Sequence, residues 1–555
     1  MRLRRFEIEN YRGITRIALD FGASTILIGE NGSGKSTVLD ALAVCLGAGP
    51  TSSSFGFRPR DLRPAPDGTI LPVRMRLTLE GENPPQGFAV DFPGRDFRAL
   101  TLSVEAGPDQ ADELLAARWS VADASGQILS SDDADVLRRL REQSPLFLIR
   151  GGLMLHTPSP EPGPTEDDEA ARPAELSVTD LASEIDRSYR RLVSDTAQLS
   201  RKELDRGFEA VREMLSRSAK NVVAESRGSG RFLEDLLGQQ GRHALDRPFD
   251  RLKFHGAGAQ RVGMLLFLGS FLHSRHSPVA PGAEPILAIE NPEAHLHPLT
   301  VAAVWDLLDR IPWQKVLSSH SGQILAAAPL TSVRRLERLD GVVEVRQVRP
   351  GALRAEDMRR ISYHVRARRG AAFFSRCWLL MEGETEFWIV PELARLLGFD
   401  LDVEGIACVE FAQCGIDPLV RVADELGIEW HLLTDGDEAG AHYAERVRRL
   451  AGGVPLDRRL TRLAQRDIEH CLWRHGYARV YEAIGGAEPS RPTRSPHQAA
   501  TAVRNVIGRA IKRTSKPFLA LSVVDAMDDP GAPGVPPVLR TMIETAVTLA
   551  RGQLT

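Results

Sequence analysis

The sequence predicts an α/β protein built on two open sheets, and three stretches carry that reading. The apolar run Ser24–Ile28, the turn Gly29-Glu30-Asn31-Gly32-Ser33-Gly34-Lys35-Ser36 and the helical-period run Thr37–Leu42 make a strand, a loop and a helix in succession. Far downstream, the apolar strand Cys377–Met381 ends on Glu382-Gly383-Glu384-Thr385-Glu386. A third strand, Glu429–Thr434, ends on Asp435-Gly436-Asp437-Glu438. Polar residues delivered from the carboxyl ends of buried parallel strands mark the ligand crevice of an open α/β sheet.

The composition bounds the rest. A chain of 555 residues is too long for one core and predicts roughly two to four domains. Hydrophobic content of 43% with 26% charged residues is that of a soluble globular protein. A net charge of −4 gives no global attraction to nucleic acid, so DNA contacts must come from local basic patches. No apolar run approaches the roughly 18 residues a membrane span needs, and Met1–Phe6 reads as the start of a strand instead of a signal peptide. The five cysteines are scattered, without Cys-x-x-Cys spacing, and predict buried thiols in a reducing cytoplasm, not disulfides or zinc ligands. Only seven of the 70 Lys and Arg residues are lysine, so Lys35 and Lys516 stand out as ammonium groups in an arginine-rich chain.

Taken in order, Leu3–Glu9 and Ile17–Phe21 alternate like the strands of a hairpin, with Asn10-Tyr11-Arg12-Gly13-Ile14 between them. The phosphate-loop unit follows. Its glycines let successive N–H groups from Asn31 through Gly32 and Gly34 to Thr37 point at a phosphate chain, and the helix adds its positive N-terminal end. Lys35 reaches the β- and γ-phosphates and Ser36 gives its hydroxyl to Mg2+, so the loop predicts nucleoside triphosphate binding. Ser52–Pro66 reads as a polar loop, and Leu71–Glu80, Arg98–Glu105 and Phe147–Ile149 as strands. Thr157–Pro173, rich in Pro, Glu and Asp, reads as a linker, and Leu176–Leu236 has the helical period of an inserted arm.

Residues 252–273 place a glycine-rich loop before an apolar helix, with Gly256, Gly258 and Gln260 as a phosphate-facing group. Pro285–Glu290 sets Glu290 at the end of a buried strand, where a carboxylate holds the Mg2+ shell. One strand later, Val316–Ser321 ends near His320, the position of a γ-phosphate sensor.

Together these residues resemble the ABC-type ATPase head of SMC and RecF proteins. The Asn10-Tyr11-Arg12-Gly13 stretch is similar to that family's nucleotide-contacting arginine motif. The resemblance implies at least a homodimer with ATP held between one subunit's phosphate loop and the other's signature loop. It also exposes a departure. Such heads follow the metal-binding carboxylate with a glutamate that polarises water, whereas here Asn291 stands there and cannot take a proton. Glu293 is the nearest substitute, with His320 beside it, and slow ATP turnover is the expectation.

In the second domain, Glu382, Asp435 and Asp437 would repel one another unless a cation joined them. The Glu-Gly…Asp-x-Asp arrangement resembles the TOPRIM domain of topoisomerases, primases and nucleases. No DNA-binding region surrounds Tyr443, Tyr477 or Tyr481, which argues against a topoisomerase, and the cysteines exclude a primase zinc module. An ABC head followed by TOPRIM is the architecture of the OLD (overcoming lysogenization defect) family of ATP-dependent endonucleases, and the resemblance covers nearly the whole chain. It implies an α/β fold: an ABC-type P-loop ATPase head with an inserted helical arm, then a Rossmann-like TOPRIM domain with a helical insert. The expected boundaries are 1–160 and 246–370 for the two lobes of the head, 161–245 for linker and arm, and 371–555 for TOPRIM. Arg466–Leu472 is similar to the insert motif whose glutamate holds a second metal, and Ser515–Phe518 to the closing motif whose lysine lies at the cleavage site. On that basis Glu382, Glu386, Asp435 and Asp437 are metal ligands, Glu469 a second-metal ligand and Lys516 a transition-state stabiliser.

The resemblance implies ATP and Mg2+ or Mn2+ as cofactors and DNA as the substrate. Two ions about 4 Å apart would activate water and stabilise the leaving oxygen. It also implies a homodimer or higher oligomer in the cytoplasm, no membrane, a role in anti-phage defence or DNA repair, and room for a defence-system partner protein that releases cutting. Arg359, Arg360, Arg366, Arg368, Arg369 and the Arg504–Arg513 helix are candidates for holding the DNA backbone. The alternative is an SMC/RecF-like clamp whose TOPRIM domain grips DNA without cutting it.

Overall fold

The computed structural model describes residues 1–47, 57, 61–64, 69–107, 117–150, 283–294, 301, 305, 308–309, 313–339, 342–362, 370–412, 414–486 and 496–552. The linker at 157–173, the arm expected at 161–245, and Gly256, Gly258, Gln260, Arg366, Arg368 and Arg369 lie outside the described residues. Two units divide the chain. One is Met1–Ala328 with Ser332–Val345, and the other is Pro329–Thr331 with Arg346–Thr555.

In the first unit the alternating N-terminal pattern folds as expected into an antiparallel hairpin, Arg2–Tyr11 against Ile14–Asp20. It belongs to a six-stranded antiparallel sheet that continues through Val73–Glu80, Ala99–Ala106, Ala117–Ala122 and Ile128–Ser131. The side chains alternate except at a bulge between Leu3 and Arg5, so Leu3, Phe6 and Ile8 are buried while Arg2 and the adjacent Arg4 and Arg5 face water.

A second sheet runs Leu146–Arg150, Ile286–Glu290, Gln314–Ser318, Ser24–Gly29, Val333–Leu339 and Val342–Arg346, the first five parallel. The phosphate-loop strand is thus central, and the helix Lys35–Leu46 packs its buried Val38, Leu39 and Leu42 into a core common to both sheets. Buried Gln314 ties the sheets together. Its side chain accepts from Leu3 N at 2.9 Å and donates to the Leu3 and Gly22 carbonyls at 2.7 and 2.9 Å. A buried amide needs such partners, because an unpaired polar group there costs about 1–3 kcal/mol.

The second unit is built on a parallel sheet ordered Ile406–Glu410, Cys377–Met381, Glu429–Thr434 and Leu460–Arg462. Its centre is buried on both faces, which is why Cys377–Met381 reads as an unbroken apolar run instead of an alternating one. Leu379, Met381 and Leu433 meet the helices Glu384–Leu396, Lys516–Met527 and Pro537–Ala550 through Ile389, Leu393, Val523, Met542 and Ile543. Trp378 and Trp430 are fully buried, and each indole N–H finds an acceptor, the Ala372 carbonyl at 2.8 Å and Asp424 at 3.0 Å.

Within this sheet His431 is sealed in. Nδ1 lies 2.9 Å from the Arg458 carbonyl and Nε2 2.9 Å from the Thr461 hydroxyl. The carbonyl can only accept, so Nδ1 carries the proton and the neutral ring is the form that fits. Burial lowers its pKa from 6.5 to about 4. A depressed histidine contributes stability that is complete above the unfolded value near 6.5 and is lost as pH falls through about 4, on the order of 3 kcal/mol in all. An NMR titration of the ring is expected to show no protonation until about pH 4, with the unit beginning to unfold over that span. A ring titrating near 6.5 in the folded protein contradicts it.

Among the described residues no helix is long and apolar enough to cross a membrane.

Candidate functional site

The phosphate loop is shaped by glycines that nothing larger can replace. Gly29 has φ +143°, and a Cβ there would lie 2.3 Å from the Leu336 carbonyl oxygen of the neighbouring strand. Gly34 has φ +103°, with its Cβ position 3.3 Å from Ile14 of the first hairpin. The turn is therefore wedged between the hairpin and the strand Val333–Leu339. Asn31, Gly32 and Ser36 are exposed at its mouth, and Thr37 lies half-buried in the first turn of the helix.

Lys35 is buried, and its Nζ donates to the Gly29 and Glu30 carbonyls at 2.8 and 2.9 Å, bracing the loop. Burial lowers its pKa to about 8, against the pull of Glu293 and Glu30.

Glu290 closes the strand Ile286–Glu290, and the chain then turns sharply at Asn291, whose φ is +47°. That turn carries Glu293 to the end of the next strand. Its Oε1 accepts from His320 N at 2.6 Å and from the Ser319 hydroxyl at 3.1 Å. Its other oxygen, and Asn291 Oδ1, are buried without a hydrogen-bond partner. The His320 ring is held towards its neutral form by burial and by the charge of Lys35. Lys35, Glu293 and His320 thus act on one another electrostatically, and Glu293 is the acid that touches the His320 turn.

The arginine of the hairpin tip is differently placed. Arg12 Nε donates to Asp61 at 2.8 Å and its Nη1 to Asp40 on the phosphate-loop helix. Burial opposes its charge, but these bonds outweigh that and raise its pKa.

In the second unit, the strand Cys377–Met381 hands over to a helix that begins at Glu384, three residues earlier than its apolar period suggests. Glu386 therefore sits in the first helical turn and is buried. Glu382 lies at the strand end, with Oε2 buried and without a hydrogen-bond partner. From the next strand comes Asp435, half-buried at its tip. Burial raises its pKa to about 8, and Glu386, Asp467, Glu382 and Glu469 push the same way. Glu382 is raised by burial and then by Asp437, and Glu386 by burial with Glu469 and Glu382 adding to it. These carboxylates stand at the carboxyl ends of the neighbouring parallel strands Cys377–Met381 and Glu429–Thr434 and in the first turn of the helix that follows the first. Asp437 does double duty, because its Oδ1 caps the helix Glu438–Leu450 by accepting from Gly440 N at 2.8 Å.

Gly436 explains how the insert reaches the crevice. A Cβ there would fall 2.1 Å from the Gln465 carbonyl oxygen and 2.6 Å from that of Leu463. The segment can pass this close only over a glycine, and it leads straight into the helix Ile468–Leu472. That helix buries Glu469, which accepts from the Thr385 hydroxyl at 3.2 Å and lies 3.9 Å from Lys516 Nζ. Lys516 opens the helix Lys516–Met527 and favours the charged forms of Glu382 and Glu386. Asp467, Thr385 and Gly436 are further members that the sequence does not single out, and Tyr481, which the sequence offers only as a nucleophile to be set aside, joins them. Asp467 caps the insert helix and holds His470 Nδ1 at 2.5 Å, and Tyr481 presents a buried, unpartnered hydroxyl near Glu469 and Asp467. Asp467 stands in the quoted Arg466–Leu472 motif, so its presence there was the available signal. Among the described residues no three His, Cys, Asp or Glu side chains form a ready-made coordination group. The donors share a crevice without sharing a shell. As a set of oxygens with an orphaned buried carboxylate among them, they fit a hard divalent cation.

These two sites define the class: an ABC-type ATPase head and a TOPRIM domain on one chain, the architecture of the OLD family. Residues 373–437 match the family described as Overcoming lysogenization defect protein-like, TOPRIM domain, and residues 1–68 and 94–372 that described as Protein of unknown function (DUF2813). The chain belongs to the DUF2813 family. It is 33% identical to "Uncharacterized protein YbjD" of Escherichia coli K12, across 100% of both chains. An "OLD nuclease" of Thermus scotoductus is 25% identical over 78% of this chain and 82% of that protein. Among solved structures, the SMC head domain from Thermotoga maritima is similar at 12% identity, covering 63% of this chain and 100% of that one with a TM-score of 0.32.

Proposed function

We propose that this protein is an ATP-binding, divalent-metal-dependent DNA endonuclease. The observation that carries the reading is the crevice in which Glu382, Glu386, Asp435, Asp437 and Glu469 act on one another beside the ammonium of Lys516. Glu382, Glu386, Asp435 and Asp437, with Glu469 on a second ion, would be drawn together to hold Mg2+ or Mn2+, which when bound supplies an activated water and charge for the leaving oxygen of a phosphodiester. Lys516, half-exposed at the crevice, offsets the negative charge that grows on the phosphate in the transition state. Arg359, Arg360 and the basic face of the helix Pro496–Arg513 are the described residues suited to hold a DNA backbone. The relative named as an OLD nuclease supports the assignment.

In the head, Asn31, Gly32, Gly34, Lys35, Ser36 and Thr37 would hold the ATP phosphates, with Arg12 framing the loop and Glu290 and Ser36 on Mg2+. Gly256, Gly258 and Gln260 would supply the partner subunit's half of the seam in a homodimer. Defence against phage or DNA repair is the setting this activity suits.

The test is nicking of supercoiled plasmid by the full chain with Mn2+. Metal-dependent nicking supports the reading. DNA binding without nicking would make the chain an ATP-gated clamp instead.

ATP turnover has its own expectation. With Asn291 unable to take a proton, Glu293 is the base within reach of the His320 turn. Turnover is expected below about one per second, and Glu293→Gln is expected to lower it roughly a hundredfold further. Steady-state phosphate release measures both. A wild-type rate of tens per second, or an unchanged variant, removes Glu293 from this role.

A further inference from the structure

Three arginines gather at the tip of the first hairpin, and they are not equivalent. Arg12 is spoken for. Its backbone N–H donates to the Asp61 carbonyl at 2.9 Å, its guanidinium is shared between Asp61 and Asp40, and it lies 5.0 Å above the Tyr11 ring. Asn10 and Arg12 both have positive φ, +56° and +49°, so the tip is held in a sparsely populated conformation by those contacts. Moving Arg12 to a ligand would break two ion pairs.

Arg338 is placed otherwise. Its strand, Val333–Leu339, runs parallel to the phosphate-loop strand with Leu336 opposite Gly29. Arg338 therefore emerges at the carboxyl end, beside the turn that the phosphates would enter. The side chain is exposed, and Nη1 makes one long contact, 3.4 Å, to the Gly32 carbonyl of the loop itself. On its other side, a Cβ at Gly13 would lie 2.8 Å from Nη2, so the missing side chain of Gly13 leaves this guanidinium its room. Arg63 reaches the same hairpin tip, with Nη1 3.4 Å from the Gly13 carbonyl. Among the described residues the polar contacts of Arg338 and Arg63 are to carbonyls, not carboxylates. Arg338 thus rests on one long carbonyl contact at the mouth of the phosphate loop, and Arg63 on another at the hairpin tip beside it.

We propose that Arg338, seconded by Arg63, binds the phosphate tail of ATP, while Arg12 holds the hairpin tip against the phosphate-loop helix. A planar guanidinium can fork two phosphate oxygens and gives up little by leaving a 3.4 Å carbonyl contact. The inference rests on the nucleotide reading of the head, and the experiment separates the two.

The full chain with Mg2+ is titrated with fluorescent ATP and ADP at fixed ionic strength, as wild type, Arg338→Ala, Arg338→Lys, Arg63→Ala, Arg12→Ala and Lys35→Ala, with thermal midpoints recorded for each. Arg338→Ala is expected to weaken ATP binding about tenfold to a hundredfold with an unchanged midpoint, and Arg63→Ala only a few-fold. Arg338→Lys recovers part of the loss, because a point charge cannot fork. Arg12→Ala is expected to lower the midpoint. Wild-type affinity in Arg338→Ala overturns the inference while leaving the nucleotide reading intact. Failure of the wild type to bind ATP overturns both.

Discussion

Asp435→Asn is expected to abolish metal-dependent nicking, by at least about a hundredfold, while leaving the protein folded. The substitution is nearly isosteric and removes the carboxylate on which four other acids act. The same residue makes a second, opposite expectation about stability. An acid whose pKa is raised to about 8 in the folded protein favours folding most at low pH, below its ordinary value near 3.8. That contribution is lost as pH rises through about 8. Without divalent cations, the wild-type midpoint is therefore expected to suffer at pH 8 and above relative to Asp435→Asn. Mn2+ raises the wild-type midpoint there and leaves the variant unmoved. A catalytically dead variant that still gains stability from Mn2+ would place the cation elsewhere. The His431 contribution has the contrary sign and a lower pH range, so Asp435→Asn also isolates it.

Lys35→Ala is expected to weaken ATP binding by about a hundredfold or more. Two charge-assisted bonds to phosphate oxygens are each worth roughly 1.5–3 kcal/mol, and the loop has no second buried ammonium. Part of the loss comes from the loop itself. Lys35 Nζ braces the Gly29 and Glu30 carbonyls, and without it the turn has fewer restraints. Lys35→Met keeps most of the buried stem and removes the ammonium alone, so lost packing is not mistaken for lost charge. If Lys35→Met binds ATP at the wild-type level, the Lys35 ammonium does not hold the phosphates and serves only to brace the turn.

Much of this was legible in the chain because it rests on local rules. The strand Cys377–Met381 falls where an apolar run of strand length says it should, since a sheet covered on both faces needs no alternation. Both hairpin strands and the loop glycines were equally plain, each fixed by period or by a backbone that only glycine adopts. The strands Ile406–Glu410 and Leu460–Arg462 were not read: both stand at the edges of the sheet, the first only partly buried and the second three residues long. The start of the helix at Glu384 was also missed. Its first turn is polar, so the apolar period begins only after the carboxylates that the helix presents.

The sequence by itself determined that phosphates could be cradled at Gly29–Ser36 and that acids would stand at two strand tips. Those facts depend on backbone shape and on neighbours a few residues away. Only the tertiary structure decided which charges meet across long separations. It bound Arg12 to Asp40 and Asp61, set Arg338 over the loop, tied Glu293 to the His320 turn, and threaded the insert across Gly436 so that Glu469 reaches Lys516. A charge's partner is a matter of distance in space, falling off over several ångströms whatever the separation along the chain, and no period in the sequence encodes it.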